Sequence, residues 1–243
     1  MAEDREKGLY IYDEIPFSVD VNELAERFHI DEDDDLRGEL EELVADASSR
    51  ARPKAMLRLI GVEHGEDGRV TAIGGQSCSS VVLDKNLRDA DTAVAYVVTC
   101  GAELEGIDVH GDPLAGYWLD ELRLRALRCA HGFIKPMLPR LLRSKKLAFM
   151  APGSLPQWPI SEQTTLFACL GDVEGTIGVR LTDSFLMRPL KSGSGLVCAA
   201  EKPFENCMVC RRFTCPGRRA PYDAKLAEEF GEIDGEDGAA PLP

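Results

Sequence analysis

The stretch "DTAVAYVVTCG", residues 91–101, constrains the fold more than any other. It is an almost unbroken apolar run with no polar alternation, the pattern of a strand covered on both faces. A chain that contains it must supply a layer of structure on either side. The run ends in Thr99, Cys100 and Gly101, small residues that let a backbone or a ligand come close. A long helix is expected next, from Pro113 to His131, with Asp112 as cap and Pro113 in the first turn, where a missing N–H costs nothing. Leu114, Trp118, Leu122 and Ala126 form its apolar stripe, and a further helix over Phe133–Leu142 is limited by Pro136 and Pro139.

Elsewhere the pattern alternates between strand and helix. A strand is expected over Leu9–Val19, followed by a helix in which Val21, Leu24, Ala25 and Phe28 share one face and Asp20 caps. The acidic run Asp31–Asp35 precedes a second helix with Leu36, Leu40, Leu43, Val44 and Ala47 on one side, and carboxylates suit the positive end of a helix dipole. The segments "KAMLRLIGVEH", "RVTAIGG" and "SSVVL" read as short strands separated by Gly-rich turns. "MAPGSLPQWP" reads as a loop and "ISEQTTLFACLG" as a helix with Ser161 as its cap, stopped at Gly171. "TIGVRLTDSFLM" and "GSGLVCAA" read as strands. Without a clean βαβ series the fold class is α+β, or mixed α/β.

The longest apolar runs fall short of a membrane span. "MAEDREKGLYIYDE" is charged and lacks an apolar signal core, so a cytoplasmic location is expected. A net charge of −14 opposes general binding to nucleic acid. No P-loop, dinucleotide fingerprint or nucleophile elbow is present, and the four histidines are scattered, which disfavours a kinase or hydrolase.

Eight cysteines are many for such a chain. Cys78, Cys100, Cys129 and Cys169 lie singly among apolar or small residues and read as small core hydrophobes. The other four are clustered in and before "FENCMVCRRFTCPGRRAPYD": Cys207 and Cys210 form a C-x2-C knuckle, Cys215 follows and Cys198 precedes. A tight turn converges the two knuckle thiols, and thiolates select zinc or an iron–sulfur cluster. Arg211, Arg212, Arg218 and Arg219 would offset the negative charge of a four-thiolate centre. Free thiols remain the alternative, and Cys198 is equally readable as core. The loop "APGSLPQWPISEQ" forces a tight exposed path ending at a helix N-terminus, a place where backbone N–H groups hold anions. Its Trp158 stacks on a flat ring in one reading and plugs the core in the other. Asp183 and Ser184 are placed to face a cleft, and "KSGSG" is a turn able to approach a ligand.

In order along the chain, "APGSLPQWPISEQTTLF" and "IGVRLTDSFLMRPLKSGSG" resemble the reactivation domain of cobalamin-dependent methionine synthase, and more closely the stand-alone activation-domain-like proteins that accompany corrinoid methyltransferases. "VVLDKNLRDADTAVAYVVTCGAELE" and "DPLAGYWLDELRLRAL" match in texture, so the resemblance covers roughly residues 50–223. It implies a single C-shaped mixed α/β domain with a central, largely antiparallel sheet. Residues 1–50 would pack on a core of residues 51–200, with a Cys/Arg-rich loop over 201–223 and an acidic, partly disordered tail over 224–243. It implies an accessory role in the reductive reactivation of a corrinoid protein or corrinoid-dependent methyltransferase. S-adenosylmethionine would be the bound ligand and cobalamin would be presented by the partner. By position, Pro152, Gly153, Ser154, Trp158, Gln163, Thr182, Ser184 and Met187 would line the cofactor cleft. The family's loop has Arg, three residues, Gly and Tyr, and the matching positions here are Phe149, Gly153 and Ser154. Loss of a guanidinium that pairs with the methionyl carboxylate removes about 2–3 kcal/mol of binding unless another cation replaces it. Two other readings stand beside this one: a binding module with a structural zinc, and a metal-free S-adenosylmethionine-binding protein.

Overall fold

The computed structural model describes residues 2–4, 8–215 and 217–230. The strands are β1 (Ala2–Asp4), β2 (Leu9–Tyr12), β3 (Lys54–His64), β4 (Val70–Ile73), β5 (Gln76–Ser77), β6 (Thr92–Thr99), β7 (Leu147–Met150), β8 (Arg180–Leu181), β9 (Met187–Arg188), β10 (Ser192–Ala199) and β11 (Phe204–Glu205). The helices are α1 (Val21–Phe28), α2 (Leu36–Arg50), α3 (Val81–Asn86), α4 (Pro113–Ile134), α5 (Leu138–Leu141), α6 (Gln163–Leu170), α7 (Val173–Ile177) and α8 (Ala224–Glu229). The fold is mixed α/β with a central, mostly antiparallel sheet flanked by helices. Its strand order is β1-β2-β3-β6-β10-β7-β11, with β4 pairing β3 and β5 pairing β4, and β8 and β9 form a separate two-stranded ribbon.

The chain divides into two compact units, each discontinuous in sequence. The first comprises Met1–Arg58, Tyr96–Leu138 and Leu170–Gly193, and the second Leu59–Ala95, Pro139–Cys169 and Ser194–Pro243. In the first unit the buried faces of α1, α2 and α4 meet in one cluster that includes Leu24, Leu40, Val44, Trp118, Leu119 and Leu122. The caps are those the sequence specifies: Asp20 accepts from Asn22 N, and Asp112 accepts from Leu114 N and Ala115 N. Cys100 is part of this core. Burial raises its thiol pKa to about 11, so it stays a neutral hydrophobe.

In the second unit β7 pairs antiparallel with β10 and parallel with β11. Leu147, Ala148, Met150, Leu196, Val197, Cys198 and Phe204 are buried. Phe204 stacks on Phe230 with centroids 5.3 Å apart, and Lys85 lies 4.6 Å from the Phe230 ring centre. Cys169 donates its thiol to Ile73 O at 3.1 Å.

Several expectations fail locally. Ser161 lies inside a 3-10 turn, Ile160–Glu162, instead of capping the helix, and α6 begins at Gln163. The helix expected over Phe133–Leu142 is divided, since Phe133 and Ile134 end α4 and only Leu138–Leu141 follow as helix. The turn expected over "KSGSG" is largely strand, because β10 begins at Ser192. "SSVVL" starts a helix rather than a strand, because Ser80 Oγ accepts from Val82 N and Leu83 N and so nucleates α3. "TIGVRLTDSFLM" is not one strand. Its first residues end α7 at Gly178, a left-handed cap with φ +73°, and the remainder folds back as the β8–β9 hairpin. The strand from Leu9 stops at Tyr12 instead of reaching Val19. The disorder expected at the C-terminal end falls outside the described residues. Among those described, no helix is long and apolar enough to cross a membrane.

Candidate functional site

In the second unit, β7 runs directly into the Pro-Gly loop. The loop folds on itself: Gly153 N donates to Trp158 O at 2.8 Å and Trp158 N donates to Leu155 O at 3.1 Å. Gly153 sits at φ +80°, a left-handed conformation that favours glycine, and a Cβ there would come within 2.6 Å of Ile160 Cδ1. Pro152 is buried while Gly153 and Ser154 are exposed, so the tight backbone is presented to solvent. Trp158 is only 1% exposed. It does not offer a ring face for stacking and supports the loop from beneath. Ser80 Oγ donates to Gln157 O at 2.9 Å, which ties the α3 cap to the same turn. Gln163 is buried, and its Oε1 accepts from Ser194 Oγ at 2.8 Å.

Two residues that sequence reasoning missed lie against this loop. Asn206 is buried, and its Nδ2 donates to Ala151 O at 2.9 Å. Its Oδ1 is also buried and accepts no hydrogen bond among the described residues. Such an acceptor is costly to leave unmet and calls for an N–H or O–H donor. Glu205 is the second. It is the register partner of Phe149 across the parallel β7–β11 pair. Its Oε2 lies 3.1 Å from Nη2 of Arg219, whose side chain is 45% exposed. The guanidinium of Arg219, from the Cys/Arg loop, is thus held at Glu205 on the strand that pairs with β7. No linear motif reveals this, since it depends on the pairing of β7 with β11.

The four clustered cysteines do not assemble. Cys198 lies in the core of β10 and donates its thiol to Asn86 O at 3.2 Å. Burial raises its pKa to about 12. Cys207, Cys210 and Cys215 are half-buried in the loop after β11. Among the described residues, no group of three or more His, Cys, Asp or Glu side chains is placed to hold a metal ion. The four-thiolate centre expected from the spacing is not seen among the described residues. What fills the loop is Arg218. Its Nη1 donates to Cys207 O at 2.5 Å and to Ala220 O at 3.2 Å, and its Nη2 donates to Cys210 O at 2.7 Å and to Arg212 O at 3.0 Å. Arg218 thus satisfies backbone carbonyls of the loop.

The remaining residues expected at the cleft belong to the first unit. Thr182 organises the β8–β9 hairpin: its N donates to Leu186 O at 2.8 Å, and its Oγ1 accepts from Leu186 N at 3.1 Å and lies 3.0 Å from Ser184 Oγ. Phe185, at the turn, takes φ +62°, a strained value for a bulky side chain. Ser184 is exposed and Met187 half-buried. The structure thus brings Pro152, Gly153, Ser154, Trp158 and Gln163 together in one unit, and Thr182, Ser184 and Met187 together in the other.

No family model matches the chain, and no curated protein matches it. Among solved structures, the fold is similar to the crystal structure of the MetH reactivation domain bound to AdoHcy. The TM-score is 0.52 at 16% identity, over 82% of this chain and 80% of that one.

Proposed function

We propose that this protein is an accessory in the reductive reactivation of a corrinoid methyltransferase system. It binds an S-adenosyl ligand at the Pro152–Trp158 loop of its second unit and docks on a corrinoid-bearing partner in the cytoplasm. The fold likeness to a reactivation domain and the resemblance of residues 151–167 and 177–195 supply the frame. The observation that carries the reading is Arg219 held by Glu205, the register partner of Phe149. It is the replacement cation that a methionyl carboxylate requires when residue 149 is not arginine.

Each residue has a task in this reading. Arg219 pairs with the carboxylate and orients it. Its existing contact with Glu205 keeps the guanidinium on that side of β11 before ligand arrives. Asn206 Oδ1 accepts from an amino group, which meets its unsatisfied acceptor. The backbone around Gly153, exposed and held by Trp158 O, allows close approach. When bound, S-adenosylmethionine supplies the methyl group for the partner's cobalt. The protein itself contributes position and charge. No electron relay is assigned to the cysteines, because they are not gathered at a centre.

Calorimetric titration with S-adenosylhomocysteine tests the ligand claim. Wild type is expected to bind saturably, and Arg219→Gln to weaken binding by about fivefold, the effect of one partly exposed ion pair of ~1 kcal/mol. Equal affinity in the variant, or no binding by wild type, would overturn the assignment.

A further inference from the structure

The first unit contains a cavity of about 510 Å³ that the preceding reading does not use. One wall is the segment Phe17–Val19, another is the α1 edge with Asp20, Glu23 and Arg27, and the third is the α4 edge with Glu121, Arg125, Arg128 and Cys129. The size lies within the usual range for small-molecule sites.

Its charges are arranged rather than scattered. Glu121 is only 7% exposed, and its two carboxylate oxygens are both engaged, by Arg27 Nη2 at 3.3 Å and Arg125 Nε at 3.2 Å. Arg125 is clamped from the other side as well, with Nη1 2.9 Å from Glu23 Oε1, and is 18% exposed. A buried carboxylate thus anchors a fixed guanidinium at the floor. Asp20 is engaged as the α1 cap. Arg128 lies two turns beyond Glu121 on the same helix edge, is exposed, and has no carboxylate partner among the described residues. Arg27 holds Glu121 through one nitrogen and is 49% exposed, which leaves its other N–H groups available to a ligand while Glu121 stays paired. Cys129 donates its thiol to Pro16 O at 3.0 Å, and burial raises its pKa, so it forms a neutral wall. Phe17 and Val19 supply apolar surface beside these cations.

We infer that this cavity is a binding site for a small organic anion, with its carboxylate or phosphate on Arg128 and Arg27 and its apolar body against Phe17 and Val19. The internal pairs satisfy Glu23 and Glu121, which leaves the unpaired Arg128 as the group that selects charge. The apolar wall selects against a bare inorganic anion. This inference is independent of the S-adenosyl site, which lies in the other unit.

The test is a titration of isotope-labelled full-length protein followed by amide chemical shifts. Phenyl phosphate and benzoate are the anionic probes, inorganic phosphate lacks the apolar body, and benzyl alcohol lacks the charge. Saturable shifts in residues 17–20 and 121–129 are expected with the two aromatic anions. Inorganic phosphate should bind more weakly, and benzyl alcohol should not bind. Arg128→Gln should weaken phenyl phosphate about tenfold, while Arg140→Gln, which removes an exposed cation elsewhere, should leave it unchanged. The inference fails if Arg128→Gln binds phenyl phosphate as wild type does, if Arg140→Gln weakens it equally, if benzyl alcohol binds as well as the anions, or if no probe saturates.

Discussion

Replacing Arg218 by alanine removes the group that organises the cysteine loop. Its guanidinium serves four carbonyls, those of Cys207, Cys210, Arg212 and Ala220. A hydrogen bond from a charged donor is worth about 1.5–3 kcal/mol when well shielded. This side chain is half-buried, and water can reach the carbonyls once it is gone. A net ~0.5–0.8 kcal/mol per bond is the appropriate discount, which gives roughly 2–3 kcal/mol for the set. That energy acts locally, on opening of the loop, rather than on global unfolding. At 1.4 kcal/mol per factor of ten, the opened population rises roughly 30–150-fold. The assay is the rate at which an aromatic disulfide reagent modifies Cys207, Cys210 and Cys215 under native conditions. Modification should accelerate by that factor in Arg218→Ala and by much less in Arg218→Lys, which retains charge and donors. Cys198 should stay unreactive in both, since it is buried and its pKa lies at about 12. If Arg218→Ala reacts at the wild-type rate while a chelator unleashes the wild-type thiols, a metal rather than the arginine organises the loop, and the reasoning is refuted.

Cys198→Ala is expected to lower stability by about 1–2 kcal/mol, as for a small core deletion that also loses a contact to Asn86 O. The metal content of the purified protein should not change, and urea denaturation with elemental analysis checks both. Gly153→Ala should cost about 1–3 kcal/mol, because φ is +80° and the new Cβ meets Ile160. A thermal melt would show the loss, and a wild-type melting temperature would contradict the assigned backbone. Alkaline stability has a defined sign. Burial pushes the Cys100 and Cys198 thiols up to about 11 and about 12 in the folded protein, well above the ordinary thiol range. Their contribution is complete below pH 9 and is lost as pH rises through 11–12. Urea midpoints should therefore fall between pH 8.5 and pH 10.5, by about 1.4 kcal/mol per unit for each thiol once the unfolded chain titrates. A flat profile would exclude the buried, protonated assignment.

The parts of the fold that were legible in the sequence are those where one local signal has a single solution. The helices α1 and α4 begin at Asp20 and Asp112, whose side chains cap them, and the apolar run at Thr92–Thr99 is β6. The misreadings arise where a short apolar segment carries two meanings. Val81, Val82 and Leu83 suit a strand by composition, yet one serine hydroxyl before them decides for helix. Ile177, Val179 and Leu181 alternate in hydrophobicity only because a helix end, a turn and a strand happen to follow one another. The Pro-Gly loop was legible as a tight exposed turn, and Trp158 as one of two possibilities. The Arg219–Glu205 pair on the strand next to β7 was not legible, because the register of β11 against β7 links residues 56 positions apart. The cysteine spacing pointed to a metal, but spacing along a chain does not specify what fills a loop. Here a guanidinium does, and Cys198 faces Asn86 O.

Reconstitution of reactivation tests the central claim most directly. A corrinoid methyltransferase subunit from the same cell would be held in its inactive cob(II) form and mixed with S-adenosylmethionine and a chemical reductant, and the visible spectrum followed anaerobically. The account predicts that the methylated corrinoid forms faster in the presence of this protein, and that Arg219→Gln slows the gain. A rate identical with and without the protein, at concentrations that saturate the subunit, would contradict it.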